Sequence, residues 1–162
     1  MIIISDSSPL ISLAIIRKLH LLEQIFDEIW MPQAVYQEIA KKNKPYSSEL
    51  ERFSENRIKD VQNRLAVQLL LKELDIGEAE AIVLALETNI KDVLIDEYKG
   101  RKVAQSCQLE TTGTIGVLLQ AKKKGLITEV KADLDELICN HCRISQPLYE
   151  KALELAGEKS SS

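Results

Sequence analysis

The chain has 162 residues, of which 45% are hydrophobic and 28% are charged, and its formal net charge is −4 at pH 7. These values predict one soluble globular domain, long enough to bury roughly 70% of its unfolded surface. No apolar run approaches the roughly 20 residues that cross a bilayer and no signal-peptide pattern is present, so the sequence argues against a membrane segment and we expect a cytoplasmic protein.

The first eleven residues, M-I-I-I-S-D-S-S-P-L-I, predict a strand that passes directly into a helix. Residues 2–4 are isoleucines and fit a strand buried on both faces of a parallel sheet. Ser7 and Ser8 are predicted N-cap residues, and Pro9 suits the first helical turn. Asp6 should therefore stand at the carboxyl end of a central strand, where open α/β sheets hold their ligands.

Strand and helix patterns alternate along the rest of the chain. The predicted strands cover 28–32, 58–61, 93–95 and 109–111, and the predicted helices cover 19–26, 33–40, 64–73, 78–87, 115–124, 130–140 and 146–156, with one more helix that starts at 98. Residues 41–48 are predicted to form a loop, and Asp75 and Gly77 to interrupt the helical pattern. We expect a single domain over 1–157 and a disordered tail over 158–162.

This alternation predicts a three-layer α/β/α fold with a central, mainly parallel sheet and helices on both faces. Right-handed crossovers place the loops that follow the strands at one edge of such a sheet. That edge should collect Asp6, Asp96 and the turn at 112–114.

Carboxylates occur near this edge in four places: at Asp6, at Glu38, at Glu78 with Glu80, and at Asp96 with Glu97. Like charges within about 4–6 Å raise one another's pKa and destabilise the fold unless a cation neutralises them. Oxygen-only ligands suit Mg²⁺ or Mn²⁺, which also bind substrate phosphates. The acids therefore suggest metal-dependent hydrolysis of phosphodiesters.

Each acid also has a structural alternative. Asp6 could cap the following helix, Glu38 could be a solvated helix residue, and Glu97 could cap the helix that it precedes. Glu78 and Glu80 lie in a first helical turn, where acids complement the helix dipole. Because they are two residues apart, only one should face a given site, and we favour Glu78 with Glu80 as the alternative.

The three cysteines, Cys107, Cys139 and Cys142, argue against a disulfide framework. The segment C-N-H-C at 139–142 has two cysteines and a histidine, but a tetrahedral zinc site would need Cys107 or His20 from a distant part of the chain. We therefore favour free thiols over zinc.

Five segments, in order, resemble a PIN-domain protein related to the VapC-type toxins. They are S-D-S-S-P-L-I, V-Y-Q-E-I, G-E-A-E-A-I-V-L-A, V-L-I-D-E-Y-K-G-R-K-V-A and G-T-I-G-V-L-L-Q-A-K-K-K-G-L-I. The resemblance covers residues 1–157 and implies a Rossmann-like α/β/α fold and a Mg²⁺- or Mn²⁺-dependent endoribonuclease. It also implies an antitoxin protein encoded nearby and a homodimer.

The resemblance further implies which residues form the site: its acids fall on Asp6, Glu38, Glu78 or Glu80, and Asp96, with Thr112 or Thr114 in support. The third acid lies in a G-E-x-E element instead of the more usual single Asp, so its identity stays open between the two glutamates.

The working hypothesis is that Asp6 and Asp96 bind the metal directly and that Glu78 or Glu80, with Glu38, completes its coordination. Ser8 would hydrogen-bond Asp6 or a metal-bound water, and Glu97 would support the site. The net charge argues weakly against nucleic-acid binding, but basic residues cluster locally, and we expect three of them to hold the RNA backbone: Lys99, Arg101 and Lys102.

The sequence allows two alternative functions. A phosphatase of the haloacid-dehalogenase type would use Asp6 as nucleophile, but it needs a second Asp where Ser8 stands. The other rival is a non-catalytic PIN-fold module that acts through protein partners.

Overall fold

A computed structural model describes residues 1–41 and 43–158 of the chain. Within these residues, five parallel strands form one sheet in the order β3-β2-β1-β4-β5. The strands are β1 (Ile2–Ser5), β2 (Glu28–Pro32), β3 (Ile58–Lys59), β4 (Asp92–Leu94) and β5 (Glu110–Thr112). Helices flank the sheet, which confirms the predicted three-layer α/β/α fold.

Ten helices lie in the same described part of the chain. They are α1 (Ser7–Ile15), α2 (His20–Ile25), α3 (Gln33–Ala40), α4 (Ser47–Ser54), α5 (Arg64–Leu70), α6 (Ile76–Thr88), α7 (Tyr98–Ser106), α8 (Thr114–Lys123), α9 (Lys131–Cys139) and α10 (Gln146–Leu155). None of the helices in 1–41 and 43–158 has the length and apolarity that crossing a membrane requires.

The central strand β1 separates two hydrophobic clusters. Ile3 belongs to the cluster formed with α1, α2, α8 and α9, and Ile4 belongs to the cluster formed with α6 and β4. Both side chains are almost completely buried, because successive residues of a strand point to opposite faces. The prediction of a strand buried on both faces is confirmed, and this burial fixes the position of the residue that follows β1.

Helix α6 begins earlier than the sequence predicts. Asp75 is its N-cap, and Gly77 lies inside the first turn, so the prediction that Gly77 interrupts the helix is wrong. The side chain of Asp75 accepts a hydrogen bond from the Glu78 N–H at 2.8 Å, and the Glu78 carboxylate accepts one from the Asp75 N–H at 3.2 Å. This capping box offsets the low helix propensity of glycine.

The start of α1 and the region after α3 also differ from the predictions. The N-cap of α1 is Asp6, the single residue between β1 and α1, so Ser7 and Ser8 are already helical and the prediction that they cap the helix is wrong. The predicted loop over 41–48 ends sooner, since α4 starts at Ser47 and packs Leu50 and Phe53 against the core.

The predicted disordered tail begins one residue too early. The carboxylate of Glu158 accepts hydrogen bonds from the N–H groups of Val130 and Lys131, at 2.7 and 3.0 Å, and from Lys122 Nζ at 2.9 Å. Glu158 is therefore an ordered residue that caps α9, and residues 159–162 of the predicted tail lie outside the described residues.

Candidate active site

The loops that follow β1, β4 and β5 lie side by side at one edge of the sheet. The Asp6 N–H donates to the Leu94 carbonyl at 2.9 Å, and the Ile95 N–H donates to the Thr112 carbonyl at 3.0 Å. These bonds extend the parallel pairing beyond the strand ends. They bring Asp6, Asp96 and the start of α8 to the same edge, as the sequence predicts.

Asp6 is buried in this edge without a partner for one of its oxygens. Asp6 is 4% exposed, and its Oδ1 has no hydrogen-bond partner among the residues that the structure describes. Although Asp6 stands at the N-cap of α1, its side chain does not cap the helix, so the capping alternative is wrong. Buried carboxylates almost always have a partner, and an exception requires a functional or structural explanation.

The pKa of Asp6 is raised from 3.8 to about 7, chiefly by burial. The negative charges of Asp75, Glu78 and Glu38 contribute to this rise, while the Ser7 N–H opposes it. Removal from water and nearby like charges both disfavour the ionised carboxylate. A positive charge at this place would therefore stabilise the folded protein.

Three acids meet at the bare backbone of Gly77 in the first turn of α6. A Cβ at this glycine would stand 3.1 Å from Asp6 Oδ1, 3.4 Å from Glu38 Oε2 and 3.6 Å from Asp75 Oδ1. The absence of a side chain at Gly77 leaves these oxygens a common space. We call Asp6, Glu38, Asp75 and Glu78 the acid cluster.

A buried serine holds one member of the acid cluster. Ser7 is 3% exposed, and its Oγ donates to Glu38 Oε2 at 2.6 Å. Ser8, the serine that is predicted to support the site, is exposed. The supporting hydroxyl in the structure is therefore that of Ser7, and its adjacency to Asp6 was the available signal.

The two glutamates of the G-E-x-E element diverge, as their spacing predicts. Glu78 is 5% exposed, and burial, followed by the charges of Asp75 and Glu97, raises its pKa against the lowering effect of the Asp75 N–H. Glu80 instead accepts hydrogen bonds from the Ala34 N–H at 2.9 Å and from Arg64 Nη1 at 2.7 Å.

Glu80 consequently holds α3 against α6. Each of its oxygens already has a protein donor, and one of those donors is the guanidinium of Arg64. A carboxylate with both oxygens occupied in this way is a poor metal ligand, so the structure does not bring the candidate ligand Glu80 into the acid cluster. It brings Glu78 instead.

Asp96 reaches the same edge but contacts a different element. Its Oδ1 accepts from the Thr114 N–H at 2.6 Å, and its Oδ2 accepts from Thr114 Oγ1 at 2.7 Å. Thr114, which is 4% exposed, is therefore the residue that supports Asp96. Thr112 contributes its backbone carbonyl, which accepts the hydrogen bond from the Ile95 N–H. The structure thus anchors Asp96 on the first turn of α8, at the same edge of the sheet as Asp6.

The predicted backbone-binding residues lie on α7, next to Asp96. Lys99 and Lys102 are exposed, and Arg101 is half-buried with Nη1 donating to the Ile95 carbonyl at 3.2 Å. Glu97 is exposed at the N-cap of α7 and makes no side-chain capping bond, and its negative charge contributes to the raised pKa of Glu78.

The acid cluster suits a hard divalent cation. Across 1–41 and 43–158, no group of three or more His, Cys, Asp or Glu side chains has the geometry of a metal site. Mg²⁺, however, is usually bound through one or two carboxylates together with waters and substrate phosphates. The unpartnered Asp6 Oδ1 and the Glu38 carboxylate across Gly77 supply such a pair.

These features define a Rossmann-like α/β/α domain with an acidic site at the carboxyl ends of its strands. A family model for DUF3368, a PIN domain, matches residues 2–158, and the chain therefore belongs to this PIN-domain family. No curated protein and no solved structure matches the chain. PIN domains are usually nucleases and generally use divalent metal ions, so the family indicates a nuclease-type function.

Proposed function

We propose that the protein is a metal-dependent endoribonuclease that hydrolyses RNA phosphodiester bonds with Mg²⁺ or Mn²⁺. The observation that supports it best is the buried Asp6 Oδ1, which has no hydrogen-bond donor and is surrounded by the charges of Glu38, Asp75 and Glu78. The charged groups that shift the pKa of Asp6 are all carboxylates, and a cation is the partner that would offset their charge.

In this proposal the residues of the acid cluster have distinct roles. Asp6 and Glu38 bind the ion, and Ser7 fixes the Glu38 carboxylate by its hydrogen bond. Glu78 adds negative charge on the α6 side and accepts water-mediated contacts. When bound, Mg²⁺ or Mn²⁺ supplies a water nucleophile and stabilises the charge that develops on the phosphate oxygens.

The second group of residues binds the substrate beside the acid cluster. Thr114 holds both oxygens of Asp96, so this carboxylate keeps a fixed position at the mouth of the site. Arg101, with the exposed Lys99 and Lys102, neutralises the flanking phosphates of the RNA backbone. These cations lie on one helix, α7, next to the acids.

The function is tested by cleavage of single-stranded RNA in the presence of Mn²⁺, with EDTA as the metal-free reference. Asp6→Asn and Glu38→Gln should abolish metal-dependent cleavage and leave the protein folded. Glu154→Gln removes an exposed acid of α10 and is the matched control, which should keep full activity. Full activity of Asp6→Asn at equal purity contradicts the proposal.

We further propose that this nuclease is the toxin of a toxin–antitoxin pair, that it forms a homodimer and that it acts in the cytoplasm. The support is the resemblance to PIN-domain proteins related to the VapC-type toxins. Expression of the wild-type chain should arrest growth of a bacterial host, and expression of Asp6→Asn should not. Rescue by the protein of a neighbouring gene supports the pair, and equal growth with both variants contradicts it.

A catalytically weak PIN-fold module is the second candidate. It is favoured by the lack of three acids in metal-binding geometry within the described ranges. Calorimetric titration with Mn²⁺ alongside the cleavage assay separates the two candidates. Binding of a protein partner without metal uptake or cleavage would support the module.

A further inference from the structure

A cleft opens next to Asp96, and no member of the acid cluster lines it. It has a volume of about 560 Å³ and is bounded by α7, β5, α8 and α10. Its lining includes Asp96, Tyr98, Arg101, Thr112, Gly116 and Leu148. Binding sites for small ligands have volumes of roughly 300–1,000 Å³, so one nucleotide unit fits here.

The outer wall of the cleft presents an aromatic ring to solvent. Tyr98 is 72% exposed, and Leu148 of α10, which also lines the cleft, is 46% exposed. Lys102 Nζ lies 5.6 Å from the centre of the tyrosine ring, so a cation accompanies it. An exposed aromatic ring with basic neighbours is the common element of sites that stack single-stranded bases.

The inner end of the cleft holds a cation beside a carboxylate. Because Gly113 has no side chain, Asp96 Oδ1 and Arg101 Nη1 approach to 2.8 and 2.9 Å from the point where its Cβ would stand. Arg101 forms no ion pair with any residue that the structure describes. Its remaining N–H groups are suited to a phosphate oxygen, which accepts several donors at once.

We propose that this cleft binds one nucleotide of a single-stranded RNA next to the cleaved phosphodiester, with the base stacked on Tyr98 and the phosphate on Arg101. This inference rests on the proposed ribonuclease function, because it takes RNA as the polymer. Stacking requires a base that is free of its neighbours, so the cleft selects single strands over duplexes. Asp96 connects the cleft with the loop edge that carries the acid cluster.

The inference is tested by binding in EDTA, where cleavage does not interfere. The probes are a short fluorescein-labelled single-stranded oligoribonucleotide, the same strand with abasic sites, and the corresponding duplex. The variants are Tyr98→Ala and Tyr98→Phe, and Leu155→Ala is a control that removes an equally exposed apolar side chain outside the cleft.

Tyr98→Ala should weaken binding of the intact strand by about 5- to 150-fold, the range expected for the loss of one stacked base. Tyr98→Phe keeps the ring and should bind within about twofold of the wild type. The abasic strand should bind weakly to the wild type and equally weakly to Tyr98→Ala, because it has no base that could stack on the ring.

Equal affinity of Tyr98→Ala and the wild type for the intact strand overturns the inference. It is also overturned if the wild type does not bind the single strand or prefers the duplex, or if the alanine variant loses affinity for the abasic strand to the same extent. Failure of the ribonuclease proposal is distinguishable, since cleavage would then be absent while Tyr98-dependent binding persists.

Discussion

Replacement of Asp6 by Asn should stabilise the metal-free protein at neutral and alkaline pH. The folded-state pKa of Asp6 is raised to about 7 from 3.8, chiefly by burial and then by the charges of Asp75, Glu78 and Glu38. At 1.36 kcal/mol for each pH unit, this difference costs the fold about 4 kcal/mol above pH 7. Asn is neutral and nearly isosteric, so it removes this cost.

The pH dependence has a definite sign. Between about pH 4 and pH 7 the folded state keeps the proton on Asp6 and the unfolded state has released it, so the wild type loses stability as pH rises. The advantage of Asp6→Asn should therefore be absent below pH 4, grow towards pH 7 and stay constant above it. A buried amide with incomplete hydrogen bonding costs about 1–3 kcal/mol, so we expect a net gain of about 1–3 kcal/mol at pH 8.

Urea unfolding at pH 4, 6 and 8, with EDTA present, measures this difference. Glu80→Gln is the matched control, because Glu80 is also a buried acid of the site region but has donors at both oxygens. It should lose about 1–3 kcal/mol of unfolding free energy at pH 8. Destabilisation by Asp6→Asn at every pH, or a stability difference that does not change with pH, refutes the reasoning.

Three further predictions concern single contacts. Gly77→Ala places a Cβ 3.1 Å from Asp6 Oδ1, so Mn²⁺ affinity measured by calorimetry should fall by at least about tenfold. The melting temperature of Gly77→Ala should stay near that of the wild type, because alanine has a helix propensity about 1 kcal/mol more favourable than that of glycine. Unchanged Mn²⁺ affinity would show that the ion does not bind at Gly77. Thr114→Ala removes the hydroxyl bonded to Asp96 and should lower the free energy of unfolding, measured in urea, by about 1–3 kcal/mol. Thr114→Ser keeps a hydroxyl and should retain most of the wild-type stability. Equal stability of Thr114→Ala and the wild type would show that the hydroxyl does not stabilise the fold. Glu158→Gln should lower the free energy of unfolding at pH 7 by about 1–3 kcal/mol, because the carboxylate that accepts hydrogen bonds from the start of α9 and from a lysine of α8 loses its charge. An unchanged urea midpoint would show that the Glu158 charge does not stabilise the fold.

The placement of Asp6 could be predicted because two independent patterns agree. The isoleucines at 2–4 require a strand covered on both faces, and the residues after Asp6 require a helix start. Parallel topology then determines that Asp6 and Asp96 share an edge. The family model confirms the PIN domain that the five segments resemble.

The composition of the acid cluster could be predicted only in part. Asp75 and Gly77 look like a break in a helix, because aspartate and glycine are both poor helix formers. The spacing of Asp75 and Glu78 also matches a capping box, and that signal places the helix start two residues earlier, at Ile76. Gly77 then becomes the position at which the carboxylates meet, a role that only three-dimensional packing reveals.

The sequence likewise could not predict which of two neighbouring residues faces the site. Whether Ser7 or Ser8 faces the acids depends on the residue at which α1 begins, and the observed N-cap, Asp6, precedes both predicted N-cap residues. Which of Thr112 and Thr114 supports Asp96 likewise depends on packing, because Thr114 donates to both carboxylate oxygens whereas Thr112 contributes a backbone carbonyl at the same edge.

If Asp6 and Glu38 bind a divalent cation across Gly77, the ion should be visible by anomalous diffraction from crystals of the wild-type protein grown with Mn²⁺. We expect a manganese peak bonded to Asp6 Oδ1 on the side of Glu38, and we expect that peak to be absent in Asp6→Asn. A peak that contacts Asp96 alone, or wild-type crystals with no peak at the acid cluster, would contradict this expectation.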